Sequence, residues 1–288
     1  MTKQKLLTLL FLFTISYSFS QDDLLEELQK EVKNDLSYEL PAFKAMQVGN
    51  LQSTKIASKG DFYLIVAHRF APLSLGIDEF FGLDGANTKI QLVYSFWDGI
   101  QFGLSRDSFE KTYSGTTKIS IKKQSNNFPL NIVGYGALDI ESASRTAVFP
   151  SLEFNDRVSV TAQILASRRI NKNLSLLIAP TFVRQNNLQQ FKQTGDDNLN
   201  QFILGFGSRL KISKRISINA DYALNFSRHS NSIYKDPFTL GLDIETGGHV
   251  FQLVFTNASG SNDSGFLTRT EGAWFNDVSF GFNIVRVF

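Results

Sequence analysis

"ISINADYALNFS", residues 216–227, alternates without a fault. Ile216, Ile218, Ala220, Tyr222, Leu224 and Phe226 take one face of an extended chain, and Ser217, Asn219, Asp221, Ala223, Asn225 and Ser227 take the other. Successive side chains of a strand point to opposite faces, so this stretch reads as a strand with one apolar and one polar side. The same period runs through "VSVTAQILAS" (158–167), "LSLLIAPTF" (174–182), "FTLGLDIE" (238–245), "LNIVGYGALDI" (130–140) and "VSFGFNIVRVF" (278–288). It predicts twelve strands, over 61–70, 88–96, 100–106, 116–124, 129–141, 157–169, 174–186, 200–212, 216–228, 238–245, 249–257 and 277–288.

The connections sort into two kinds. "WDG", "SNNF", "INKN", "SKR" and "TGG" are tight-turn lengths built of tight-turn residues. Between them lie longer segments, from "DSFEKTYSG" to "ASGSNDSGFLTRTEGAWFN". Long and short gaps alternate along the whole predicted meander. A soluble sandwich has no reason to gather its long loops at one end, whereas a transmembrane barrel has short periplasmic turns and longer extracellular loops. An even number of strands puts both ends of the barrel on the periplasmic side. The expected fold class is therefore all-β, an antiparallel up-and-down transmembrane barrel of about twelve strands closed by pairing the last with the first. A secreted soluble barrel of the lipocalin kind also fits alternation alone. Its solvated exterior would carry Lys–Glu pairs; the polar face here instead carries Gly103, Gly205, Gly207, Gly241 and Gly281 with Ser159, Thr161, Asn219 and similar residues.

Three segments organise the 288 residues. Residues 1–20 read as a secretory signal: Lys3 and Lys5, then the apolar "LLTLLFLFTIS", then Ser18 and Ser20 before a cleavage expected at Gln21. Residues 21–60 hold an amphipathic helix over 22–36, with Leu24, Leu28, Val32 and Leu36 on one face, and a tether to Gly60. This segment is expected to act as a plug or a periplasmic cap. Residues 61–288 form the barrel. The absence of Cys removes disulfides, thiolate metal sites, a Cys nucleophile and a lipid-modified Cys anchor. A net charge of +2 gives no field that would attract nucleic acid.

In this register Arg69, Asp139, Gln163, Arg209, Asp221 and Asp243 are candidates to line the lumen. Phe280, Phe282 and Ile284 face hydrocarbon, and Phe288 closes the last strand at the periplasmic rim. A terminal Phe on such a strand resembles the signal read by outer-membrane barrel assembly machinery, which makes that machinery an expected partner beside outer-membrane lipid. Arg286 interrupts the apolar series near the interface, where a charge costs roughly 0–1 kcal/mol.

The case for chemistry is thin. His68, His229 and His249 fall at different ends of the barrel and do not converge on a metal. Ser227, His229 and Ser230 are neighbours in a long loop, a weak basis for a hydrolase. The acidic clusters "GDDN" (195–198) and "SNDSG" (261–265) lack a calcium-loop spacing and read as solvated loops. Phe80 and Phe81, in "GIDEFFGLDG", read as a loop folded inward on its own aromatics, with an aromatic ligand contact or constriction as the alternative. No catalytic residue, metal or cofactor is expected. The functions in play are a narrow channel or uptake barrel for a small solute, and a non-conducting barrel that works through its six long loops.

Two segments carry a family resemblance: residues 67–115, with His68-Arg69-Phe70, Phe81-Gly82-Leu83-Asp84, Ala86-Asn87 and Arg106 through Tyr113, and residues 247–258, "GGHVFQLVFTNA". They resemble a family of β-barrel proteins from Bacteroidetes-type Gram-negative bacteria, over most of the mature chain. Ala71 departs from the Gly expected after His-Arg-Phe. The resemblance implies an outer-membrane barrel and supplies no substrate.

Overall fold

The computed structural model describes residues 41–143, 150–188 and 198–288. The predicted signal (1–20), the predicted helix (22–36) and most of "GDDN" lie outside these residues. Twelve antiparallel strands close on themselves: β1 (Phe62–Pro72), β2 (Ala86–Trp97), β3 (Ile100–Asp107), β4 (Thr112–Lys122), β5 (Asn131–Glu141), β6 (Val158–Arg169), β7 (Leu174–Arg184), β8 (Asn200–Lys211), β9 (Ile216–Asn225), β10 (Phe238–Thr246), β11 (His249–Thr256) and β12 (Ser279–Val287). Closure is the pairing of β1 with β12, from Tyr63 opposite Val287 to Arg69 opposite Gly281. It leaves no strand edge with unpaired backbone groups.

The alternation sets two surfaces. Outward lie Leu92, Leu104, Ile164, Ile178, Phe206 and Leu253, all exposed. Aromatic residues gather at both rims of this apolar band. At the short-turn end Phe62 meets Phe288 at 5.8 Å and Tyr94 meets Phe96 at 4.6 Å. Arg286 lies 4.4 Å over the Phe288 ring, so its charge sits at that rim. Toward the long-loop end Phe70 stacks on Phe280 at 5.8 Å, and Phe280 meets Phe255 at 5.6 Å. His68 belongs to this outer belt: it stacks on Phe282 at 5.1 Å and its Nδ1 lies 2.8 Å from the Thr88 hydroxyl.

The strict alternation of connection lengths fails at one place. β4 begins at Thr112, so residues 108–111 alone join β3 to β4 at the long-loop end, while residues 123–130 join β4 to β5 at the other. The tight joint is made by Glu110 and Lys111, which take left-handed backbone angles of φ 51° and 50°. The run Thr112–Gly115 reads as the end of a loop in sequence, ahead of a strand expected from 116. It is strand because it pairs along its whole length with β3 on one side and β5 on the other. A further difference concerns the last long connection, residues 257–278. It carries a short α-helix, α1 (Asp263–Thr268), and all six of its residues are buried. This loop turns into the barrel mouth rather than out to solvent.

Candidate functional site: a plugged lumen

Residues 41–60 enter the barrel from the short-turn end and run up its interior. Gly49 and Asn50 form the tip of a two-residue hairpin. The Val48 N–H donates to Leu51 O (2.8 Å), the Ser53 N–H donates to Met46 O (3.0 Å), and Gln47 bridges Gln52. The base of the hairpin packs at the short-turn end, where Met46 and Ala57 join Tyr63, Ile65, Val93 and Val285. The tip reaches past mid-height.

The side chain and N–H of Asn50 are held by the wall, while its carbonyl accepts from Gln47 Nε2 within the hairpin (3.3 Å). Asn50 Nδ2 donates to the hydroxyls of Thr239 on β10 (3.0 Å) and Thr256 on β11 (3.1 Å). Its Oδ1 accepts from Arg69 Nε (3.2 Å) and Nη2 (2.7 Å) on β1. The backbone N–H groups of Asn50 and Leu51 donate to Asp221 Oδ2 on β9, at 2.8 and 3.3 Å. Asn283 and Gln252 donate to the carbonyls of Gly49 (2.9 Å) and Val48 (3.0 Å). On the opposite wall Lys118 donates to three hairpin carbonyls: Met46 and Ser53 at 2.9 Å each, and Lys55 at 3.4 Å. Buried backbone groups away from water must find partners, and the lumen side chains supply them here in place of a neighbouring strand.

Contact is close enough to demand glycine on both sides. A Cβ on Gly49 would lie 2.6 Å from Thr239 Cγ2 and 2.8 Å from Asp221 Oδ2. A Cβ on Gly207 of β8 would lie 3.1 Å from Val48 Cγ2. Gly205, whose Cβ would lie 2.9 Å from Leu51 Cδ2, and Gly207 are therefore a seat for the hairpin, whereas Gly103, Gly241 and Gly281 face other residues of the wall.

From the other end α1 meets the hairpin. Gln52 Nε2 donates to Asp263 Oδ1 at 3.2 Å, and the Tyr135 hydroxyl donates to Asp263 Oδ2 at 2.5 Å. Burial pushes the Asp263 carboxyl above its ordinary range. Strand acids hold the rest of the loop. Asp107 Oδ2 accepts from the N–H groups of Ser261 and Asn262, Asp139 Oδ2 accepts from the Ser264 N–H, and Glu141 pairs with Arg269 at 2.8 Å. "SNDSG" is thus neither a solvated loop nor a calcium loop. Asn262 Oδ1 caps α1 by accepting from the Gly265 N–H, and Asp263 is committed to the contact between hairpin and loop. Among the described residues no group of three or more metal-ligating side chains converges.

All six candidate lumen residues point inward and are buried. Arg69 and Asp221 hold the hairpin tip, and Asp139 holds the loop. Asp243 accepts from Gln252 at 2.8 Å, and Arg209 pairs with Glu245 at the wall. The Gln163 carboxamide has no hydrogen-bond partner among the described residues. Phe280, Phe282 and Ile284 lie on the outward face of β12. Phe80 and Phe81 are not folded inward; both are exposed. Ser227 Oγ accepts from the Phe202 N–H and His229 Nδ1 from the Asn231 N–H, so each has another partner.

Sequence reasoning missed two features. One is the hairpin itself. Its signal was present, a Gly-Asn pair between Val48 and Leu51, but a single short hairpin does not stand out beside twelve strands. The other is an apolar patch on the inner wall: Val133, Leu165, Leu177, Val183 and Ile203 form one buried cluster with Phe43, Val48 and Leu51 of the hairpin and Phe266 and Leu267 of the loop. In β7 both faces carry large apolar residues, so alternation alone does not reveal that the lumen is partly a hydrophobic core.

A closed barrel with an apolar outer band, aromatic rims and an interior filled by its own chain is the architecture of a membrane-spanning barrel with a plug. The chain belongs to the family of membrane-bound beta barrel domains, DUF5777, whose model matches residues 43–288 and so takes in the hairpin as well as the strands. A search of curated proteins finds no match. Among solved structures the chain is similar to the NanC porin, with 11% identity and a TM-score of 0.50, over 78% of this chain and 98% of that one. It is also similar to the KdgM porin, with 10% identity and a TM-score of 0.48, over 78% and 99%. Outer membrane phospholipase A from Escherichia coli matches with 12% identity and a TM-score of 0.42, over 79% and 90%. At these identities the likeness is one of fold.

Facing can be checked at two residues of β9. Ala220→Arg places a charge on the outward face at the middle of the strand and is expected to weaken insertion by about 2–4 kcal/mol. Ala223→Arg leaves the outer face intact, but Ala223 is 2% exposed and belongs to the interior cluster, so the new side chain must displace the hairpin. Refolding into detergent or lipid, read as heat-modifiable gel mobility, should fall for the first and persist for the second. Equal losses would contradict this register.

Proposed function

We propose that this protein is a channel of a Gram-negative outer membrane, held closed by residues 41–60 and conducting a small solute only when that hairpin withdraws toward the periplasm. One observation carries the reading: the charged and polar lumen residues that would line a pore, Arg69, Lys118, Asp221 and Asn283, spend hydrogen bonds on a hairpin that pairs with none of the twelve strands. The long loops then face outward and the short turns face the periplasm. Phe280, Phe282, Ile284 and Phe288 serve as the assembly signal of the last strand, read by the barrel assembly machinery.

A second reading is favoured by the apolar inner wall. Val133, Leu165, Leu177 and Ile203 would be wetted in an open pore, at a cost of roughly 1.5–3 kcal/mol for each fully exposed side chain. On that reading the lumen stays filled and the barrel acts through its long-loop end.

A removable staple separates the two. The hydroxyls of Thr54 in the hairpin and Ser167 on β6 are 2.6 Å apart. The chain has no Cys, so a Thr54→Cys/Ser167→Cys pair would be the only thiols present. In planar bilayers the oxidised protein should stay silent, and reduction should restore the openings of the unmodified protein. Silence in both states, with the unmodified barrel folded and silent too, would favour the filled-barrel reading.

A further inference from the structure

The β1–β2 connection at the long-loop end carries an apolar surface that the plug does not use. Ile77 is 78% exposed, Phe80 61% and Phe81 50%, and Leu75 and Leu83 are exposed beside them. Phe80 and Phe81 hold left-handed backbone angles, φ 45° and 56°, a conformation that side chains of this size rarely adopt. The loop is not loosely tethered. The Leu73 N–H donates to Val278 O at 2.8 Å and the Ala71 N–H donates to Gly85 O at 2.9 Å, so it is fastened to the rim where β1 and β12 end. Directly beneath that rim lie the outward rings of Phe70, Phe280 and Phe255.

We propose that this loop is a lipid anchor, its apolar side chains seated among the acyl chains of the outer leaflet and extending the aromatic belt of β1, β11 and β12 beyond the end of the strands. Position identifies the occupant as lipid, because the loop springs from β1 and is hydrogen-bonded to the start of β12, the two strands whose outward Phe70 and Phe280 rings form the belt at this rim. Charge identifies which part of the lipid. Residues 72–88 hold Asp78, Glu79 and Asp84 and no Lys or Arg, so nothing there grips an anionic headgroup. An exposed apolar surface of this kind on a loop needs a partner, and hydrocarbon is the one already at hand.

The proposal rests on the barrel being embedded in a bilayer, and the test separates the two. The chain has two Trp residues, Trp97 and Trp274. In a Trp97→Phe/Trp274→Phe background, Phe80→Trp and, separately, Leu253→Trp are introduced, and each protein is folded into vesicles of phosphatidylcholine with or without bromine on the acyl chains. Leu253 faces outward on β11 and reports on embedding alone. Both Trp residues should lose emission in the brominated vesicles, and iodide added to the water should leave both largely unquenched. Bromine quenching of Leu253→Trp with iodide quenching of Phe80→Trp would overturn the anchor, leave the membrane barrel standing, and make the loop a surface for a soluble partner. Loss of bromine quenching at Leu253→Trp would instead overturn the embedding itself.

Discussion

A folded barrel with an open pore is the expected result of deleting residues 42–57. None of the twelve strand pairings uses these residues, so the hydrogen-bonded wall remains complete without them. What is lost is the filling. Arg69, Lys118, Asp221, Gln252 and Asn283 exchange hairpin partners for water, and charged groups that the hairpin held desolvated become the lining of a hydrated path. Planar bilayer recordings should change from the rare openings of the full-length protein to steady conductance steps. Heat-modifiable gel mobility should show that the barrel is still folded. A folded but silent deletion variant would mean that α1 and its loop, held by Asp107, Asp139 and Glu141, seal the lumen alone. The gate would then lie at the long-loop end.

The second large effect is expected at Lys118. Its ammonium group donates at 2.9 Å to the carbonyls of Met46 and Ser53 and reaches Lys55 O at 3.4 Å. Lys118→Met leaves the Ser53 carbonyl buried without a donor, at about 1–3 kcal/mol, and leaves Met46 O with the Ser53 N–H alone. The loss is partly offset because an ammonium group no longer has to be held out of water. The seated hairpin should therefore loosen while the strand ladder of β4 with β3 and β5 stays in place. Seating can be read chemically. Ser53 is fully buried, so a Ser53→Cys reporter should resist an aqueous maleimide in the parent and react readily beside Lys118→Met. Lys122 lies on the same strand with its ammonium over the exposed side of Phe128, 5.5 Å from the ring. Lys122→Met should leave labelling unchanged. Equal protection of the reporter in the Lys118→Met protein would show that the tip contacts of Asn50 suffice to hold the hairpin.

The two effects have different origins. Deletion removes the filling outright and tests whether anything else closes the lumen. Loss of Lys118 keeps the filling and tests how firmly it is held. Intermittent openings in the Lys118→Met protein, against steady ones in the deletion variant, would be the signature of a hairpin that leaves and returns.

Much of the architecture follows from the sequence alone, because a barrel wall is a local pattern repeated. The period of two in 216–227 and its counterparts assigned twelve strands and their facing. Pairing between neighbours in the chain then gave the meander, and the requirement for no free edge gave its closure. The inward placement of Arg69, Asp139, Gln163, Arg209, Asp221 and Asp243 follows from the same parity. Local pattern failed at the β3–β4 joint, where two residues with positive φ make a connection shorter than its polar composition suggests. It failed more deeply in the lumen. Whether an inward Gly leaves room for water or receives another chain depends on residues far away in sequence: Gly207 faces Val48, and Asp221 receives the amides of Asn50 and Leu51. Parity places a side chain on the inner face but is silent about what stands opposite it. Only the tertiary structure decided that the interior is filled, because the filling is made by contacts across the lumen, between the N-terminal hairpin, the last long loop and strands that have no sequence neighbour in common.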